Sequence, residues 1–436
     1  MKSIVTTLLR PFADVREQEV ASSLLLALNV FVVMMAYYVL KSVREPLVLA
    51  GEAAALFEGG GAEVKSYLAA AQALVLIGAV PLYGKLVERF DRGPLVMGVT
   101  AFFVVCIELF HGAALVGVPY LGVPFYIWVG IFSLAVIAQF WSFANDVYSR
   151  EQGERLFPLI GVGMTAGAVA GSWAADALFD AGVGPFAMLQ LSAVLLIGSA
   201  GLYAVGLRAL PTVGEEQDDD APEDEAGGGT GFGLIIRRPY LRWVAALFLL
   251  LNLVNTTGEF LLADLVEEAA HASGEDVEAW IGSFYAEFYF WVNLGAIATQ
   301  ALVVSRLSRL GIGWILFALP VVSLGTYGLA AAGVGLGVWR WAKTAENLTD
   351  YSVMNTAKAM LWLPTTRAEK YKAKQAIDTF VVRLGDVASA LVVFLGLNVL
   401  QIGRQGFALA NLGFIALWLL VTLAVWRGYR AAADDT

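Results

Sequence analysis

Twelve stretches of this chain are each apolar over the length of a bilayer-spanning helix, and that feature alone decides the solvent they fold in. Their cores lie near 19–40, 64–83, 94–116, 122–145, 156–179, 185–208, 239–263, 279–303, 312–332, 336–361, 376–400 and 406–426. A hydrocarbon layer of about 30 Å takes roughly 20 helical residues to cross. Within it only helices and closed barrels satisfy every backbone amide. The expectation is an all-α integral membrane protein with twelve transmembrane helices. Composition agrees, because 436 residues at 58% hydrophobic, 15% charged and a mean hydropathy of +0.70 carry more apolar surface than one soluble core buries. The first run is as long as a full span and lacks a small-residue cleavage site after it, so it is expected to be retained.

Lys and Arg gather in alternate connections, from Lys2, Arg10 and Arg16 at the start, through Lys85–Arg92, Arg150–Arg155, Arg208–Arg242, Arg306–Arg309 and Arg367–Lys374, to Arg427 and Arg430. Only Lys65 and Arg404 fall opposite. Positive charge marks the cytoplasmic side, so both termini are expected there, in a multi-pass protein of the cell (inner) membrane.

The middle of the chain changes character. Glu215, Glu216, Asp218, Asp219, Asp220, Glu223, Asp224 and Glu225 crowd around Pro222 and precede Gly227, Gly228 and Gly229. That composition reads as a solvated flexible linker over 211–235, between six-helix bundles at 1–210 and 236–436. It accounts for most of the net charge of −10, so the acidity of the chain says little about any internal site. A shift of 217 residues carries Arg89 to Arg306, Arg92 to Arg309, Arg150 to Arg367 and Arg155 to Lys372. Four basic anchors at one offset point to a duplicated six-helix unit, the parallel repeat of a two-bundle transporter whose site lies near the midplane.

Six cations interrupt the apolar runs: Lys41, Arg44, Arg340, Lys343, Lys358 and Arg383. A charge at membrane depth costs several kcal/mol unless it faces a polar cavity or a partner. In the first span Lys41, Arg44 and Glu45 follow Tyr37 and Tyr38 at helical spacing, an arrangement that suits an organic anion, with Arg as clamp and Lys as point charge. The plainer reading is a Lys41–Glu45 pair reaching for the surface, although apolar Leu47, Val48 and Leu49 follow it. In the tenth span an ideal helix puts Arg340, Lys343, Glu346, Asn347, Asp350 and Lys358 on one face, which cannot meet lipid. That face lines a cavity or, alternatively, forms an internal ladder through Lys343–Glu346 and Glu346–Asp350.

Span seven carries a polar stripe of Asn252, Asn255 and Glu259. Span eight carries Glu287 among Phe284, Tyr285, Phe288 and Trp291, a candidate proton carrier or a hydrogen-bonded structural acid. Span eleven offers Asp378, Arg383 and Asp386, of which the last two stand at pairing distance along a helix. In span four Trp141 and Asn145 share a face suited to a base or sugar, or simply to packing. Across the spans the acids Glu45, Glu259, Glu287, Glu346, Asp350, Asp378 and Asp386 nearly balance the six cations, whereas a dedicated carrier of a highly charged anion is expected to show basic excess.

Three segments carry a resemblance: Tyr38-Val-Leu-Lys41-Ser-Val-Arg44-Glu45, Phe140-Trp-Ser-Phe-Ala-Asn145-Asp146-Val-Tyr148, and Asp350 through Lys358 and Leu363-Pro364 to Asp378. With twelve spans, a central linker and the stretch from Gly84-Lys85 to Asp91-Arg92-Gly93, the chain resembles the major facilitator superfamily. More specifically it resembles the nucleotide transporter family of ATP/ADP antiporters. The resemblance implies nucleotide contacts from Lys41, Asp146 and Glu259. It also implies a lysine in span eleven, where this chain has Asp386 after Arg383-Leu384-Gly385.

Several chemistries find no footing. Cys106 is the single cysteine, and His111 and His271 are the only histidines, too few for a His/Cys metal centre. Gly161-Val-Gly163-Met-Thr-Ala166 matches a dinucleotide fingerprint by letters, yet it lies within an apolar span with no strand before it. Gly163, Gly167 and Gly171 instead mark close helix approach. No phosphate-loop motif and no nucleophile with its base occurs. The expectation is a non-enzymatic secondary transporter without cofactor, monomeric in the lipid bilayer. It would work by alternating access on a small anionic solute, nucleotides foremost, with no nucleic acid polymer as partner. A proton-coupled carrier of a zwitterion or sugar-like solute is the alternative; a non-transporting membrane scaffold or lipid-handling protein is the third reading.

Overall fold

A computed structural model describes residues 15–90, 92–209, 231–366 and 369–434. Among them the chain is helical throughout, without strands. The long helices are α1 (Val20–Leu49), α2 (Gly60–Arg89), α3 (Arg92–Leu115), α4 (Gly122–Val147), α5 (Arg150–Asp180) and α6 (Pro185–Ala209). After a short α7 (Gly231–Arg237) come α8 (Pro239–Ser273), α9 (Val277–Thr299), α10 (Ser305–Arg309), α11 (Ile312–Ala331), α12 (Leu336–Thr349) and α13 (Asn355–Met360), then α14 (Lys374–Ala376), α15 (Val382–Phe394) and α16 (Arg404–Asp434). Residues 211–230 of the expected linker lie outside the described residues, and 231–235 belong to α7.

Eleven helices among the described residues are long and apolar enough to cross a membrane. The remaining expected span is helical from Leu336 to Met360, but its charges keep it from qualifying on composition. Large apolar side chains such as Leu82, Leu109, Trp173, Val194 and Trp314 stay exposed, as lipid-facing positions do in a chain whose solvent is hydrocarbon.

The chain divides into two compact units. One holds Met1–Leu47, Ala79–Ala221 and Glu278–Phe290; the other holds Val48–Gly78, Pro222–Val277 and Trp291–Thr436. Each unit thus includes a segment from the other half of the sequence. In the first, Gly163, Gly167 and Gly171 of α5 lie against the backbone of Ala27, Phe31 and Met35 in α1, so closely that a Cβ would collide with the carbonyl oxygens. The small-residue spacing therefore does what it signalled. Helix α5 starts at a capping box, Ser149 accepting from the Gln152 amide and the Gln152 side chain returning the bond. Just outside α1, Glu19 is held by Arg155 at 2.7 and 3.1 Å. Burial works to raise the Glu19 pKa, but Arg155 and the Arg16 amide bring it below the ordinary carboxylate value. Trp128 stacks between Phe125 and Phe132 in the core. In the second unit, α8 is the central element, packed on α15 and α16.

Five π-helical turns occur among the described residues, all after residue 299: Gln300–Val304, Asp350–Met354, Glu369–Ala373, Ile377–Val381 and Leu395–Val399. Such wide turns are rare and cluster at functional positions. Two of them carry Asp350 and Asp378.

Candidate functional site

Helix α1 does not stop where its apolar run ends at Leu40. It continues to Leu49, because Leu47, Val48 and Leu49 supply further buried apolar surface, and so it carries Lys41, Arg44 and Glu45 inside the span. Glu45 is fully buried and accepts from Arg44 at 2.6 Å and from the Tyr289 hydroxyl at 2.9 Å. Arg44 lies over the Tyr126 ring at 4.4 Å, and the Lys41 ammonium sits 4.1 Å from the Tyr289 ring centre and 5.2 Å from that of Tyr38. Two cations held against phenol faces keep their charge at membrane depth at reduced cost. Glu45 pairs with Arg44, its neighbour in sequence. Tyr126 and Tyr289 are site residues that sequence reasoning missed, although Tyr289 stands two positions beyond Glu287.

The second unit builds a larger network around Lys343. Its ammonium, fully buried, donates to Glu346 at 2.8 Å and Asn255 at 3.0 Å, with Glu259 at 3.8 Å. Ser323 donates to the other oxygen of Glu346 at 2.7 Å. Gly258 lets this happen: a Cβ there would collide with the Tyr327 hydroxyl and stand 2.9 Å from the Lys343 ammonium. Glu259, a turn after Asn255, is also approached by Lys65 at 3.7 Å and accepts from Asn347 at 3.4 Å. Lys65, expected in a connection, is a buried residue of α2. Its place within the 64–83 apolar run was the signal.

The ladder foreseen for the tenth span forms only in part. Lys343 and Glu346 pair, whereas Asp350 meets Lys358 at 3.1 Å, two turns further on. The π turn at Asp350–Met354 advances less per residue than an α-helix, so Lys358 departs from its ideal-helix position. Arg340 is half-buried, with its guanidinium 5.4 Å from the Trp341 ring centre. Asp386 accepts from Asn252 at 2.7 Å and Thr256 at 2.9 Å and faces Arg383 at 3.5 Å. An acid at this position is thus supplied with donors by α8, and Gly385 allows the approach, lying against Asn252. Asp378 is exposed, Glu287 half-buried, and Trp141 packs on Phe157. Asn145 and Asp146 close α4, roughly 30 Å along that helix from Tyr126 at 1.5 Å per residue, so they are not brought to the Lys41 group.

These charge groups can be set beside known proteins. No family model matches the chain. An ADP,ATP carrier protein 1 of Chlamydia pneumoniae is 23% identical over 338 residues, covering 67% of this chain and 63% of that protein. The chloroplastic ADP,ATP carrier protein 1 of Arabidopsis thaliana is 24% identical over 333 residues, 67% of this chain and 50% of that protein. The chain is similar in sequence to ADP,ATP carriers. It spans less than two thirds of the length of these relatives. The resemblance carried by the α1, α4 and Asp350–Asp378 segments is borne out by them. Among solved structures, a mutant of the nucleoside transporter NupG matches with a TM-score of 0.65 at 14% identity, covering 92% of this chain and 99% of that one. The peptide transporter PepTSo, of the POT family, matches with 0.65 at 12%, covering 95% and 99%. The chain shares the all-α fold of these two solved proteins, with the apolar helices of a multi-pass membrane protein.

Proposed function

We propose that this chain is a secondary transporter that works by alternating access and exchanges a phosphorylated organic anion, with ATP and ADP the leading substrates. Similarity to ADP,ATP carriers is the observation that carries this reading. Lys41 and Arg44, seated on tyrosine rings, suit it, since a flexible ammonium and a planar guanidinium suit phosphate oxygens. We assign substrate contacts to Lys41 and Arg44; Lys343, Asn255 and Glu259 form a separate candidate group within the second unit. Two six-helix bundles, cytoplasmic termini, residence in the inner membrane and a monomeric state belong to the same proposal. Nothing in it requires enzymatic chemistry.

Equilibrium binding of labelled ATP to the detergent-solubilised chain tests it. Saturable binding that ADP displaces and Lys41→Gln weakens at least tenfold is expected. Absence of nucleotide binding by folded protein overturns the reading.

A further inference from the structure

A cavity of about 620 Å³ lies in the second unit where α10 turns into α11 and α16 finishes, and the transport reading makes no use of it. Trp314, Phe317, Trp426 and Tyr429 line it, and its charged side chain is Arg430. The Arg430 guanidinium stands 5.4 Å from the Trp426 ring centre, a contact that orients the cation without neutralising it. Gly313 leaves room for the indole: a Cβ there would stand 2.9 Å from the Trp426 ring nitrogen. Leu310 and Trp314 are exposed, so the cavity opens outward.

Depth and charge decide what fills it. From Arg404 to Arg430, α16 runs about 39 Å at 1.5 Å per residue, whereas a hydrocarbon layer is about 30 Å thick. Its ends therefore reach headgroup level, where Trp and Tyr gather. The segments around the cavity, 306–317 and 426–432, hold Arg306, Arg309, Arg427 and Arg430 and no acid. At the far end of α16 the charges are arranged otherwise, because Arg404 is paired with Asp264 and Glu268. We propose that the cavity at Arg430 binds an anionic glycerophospholipid, with its phosphate at Arg430 and Arg427 and the upper part of an acyl chain against Trp426 and Trp314. A guanidinium matches phosphate oxygens in geometry and charge, and basic pockets between membrane helices suit anionic headgroups. The occupant comes from the surrounding bilayer. The site shares no residue with the Lys41 and Lys343 groups and does not depend on the transported solute. Bound lipid bridges the ends of α11 and α16 and stabilises the folded chain by mass action.

The test uses the full chain in an uncharged detergent and the lipid-dependent shift of thermal unfolding as readout. The probe is dioctanoyl phosphatidylglycerol, and dioctanoyl phosphatidylcholine is its zwitterionic counterpart. Phosphatidylglycerol should act at concentrations at least tenfold below phosphatidylcholine. Each arginine near an anionic headgroup contributes about fivefold, so Arg427→Gln combined with Arg430→Gln should weaken the phosphatidylglycerol response at least tenfold. Lys85→Gln combined with Arg89→Gln removes two exposed cations of the first unit and should leave the response unchanged. Gly313→Ala, which sets a methyl group against the Trp426 indole, should also weaken it and serves if the arginine pair fails to fold. Equal response to the two lipids, or an unchanged response in the folded cavity variants, overturns the proposal. An equal loss from the Lys85 and Arg89 pair also overturns it, since the attraction would then belong to the whole surface. Inorganic phosphate giving the full shift at matched concentration overturns the lipid as occupant in favour of a free anion.

Discussion

Replacing Glu346 by Gln should destabilise the protein through the charge it leaves behind. Lys343 is fully buried, and its closest acid, at 2.8 Å, is Glu346. At an effective dielectric of about 20, attraction at that distance amounts to roughly 6 kcal/mol. Around half is offset because glutamine is cheaper to bury than a carboxylate and its carbonyl still accepts from Lys343. The net loss of about 3 kcal/mol agrees with the roughly 3–5 kcal/mol typical of breaking a buried pair. Glu259, at 3.8 Å, is the remaining acid and softens the loss without cancelling it. For a unit of this size 1 kcal/mol moves Tm by about 2–4 °C, so Glu346→Gln should melt roughly 6 °C or more below wild type. The double variant Lys343→Met with Glu346→Leu removes both charges and should recover most of that loss. Thermal unfolding in detergent, followed by intrinsic fluorescence, decides the matter. A Glu346→Gln variant that melts within about 1 °C of wild type would refute the reasoning.

Gly167→Leu in α5 should destabilise by more than about 3 kcal/mol, because the side chain meets the Phe31 backbone in a tightly packed contact; loss of folded protein on size exclusion checks it. Tyr289→Phe leaves buried Glu45 without one donor and should cost about 1–3 kcal/mol in thermal unfolding. The Glu19–Arg155 contact lowers the folded pKa of Glu19, so its contribution is complete above the unfolded value near 4.3 and fades as pH falls through the folded one. Melting curves of wild type and Glu19→Gln should therefore differ at pH 7 and converge as pH falls through the lowered folded value.

How far the sequence could be read varied with the physics that set each feature. The transmembrane class was legible because hydropathy over a span length reports the solvent directly, and so was the close-approach face of α5, because glycines one turn apart leave room for another backbone; that the partner is α1 was not. The Lys41 group was half legible. Spacing along α1 placed Arg44 and Glu45 together, but Tyr126 and Tyr289 come from distant helices that no local period foretells. Lys65 was misplaced: its place within the 64–83 apolar run was a signal, but a cation at the start of such a run can face water as readily as a half-buried carboxylate. Lys358 does meet Asp350 of the expected charged face, but across a π turn a fixed 100° per residue no longer gives the exact angle. Asp386 shows the same limit from the opposite direction. The resemblance marked it as a departure, yet the groups that donate to it, Asn252 and Thr256, lie more than a hundred residues away in sequence.

The most direct test of the transport assignment is uptake of labelled ATP into proteoliposomes loaded with ADP or left without it. Expected is uptake that depends on internal ADP, falls at least tenfold in Lys41→Gln and is indifferent to an imposed pH gradient. Uptake driven by a pH gradient and unaffected by internal ADP, or none from folded and correctly inserted protein, would contradict nucleotide exchange.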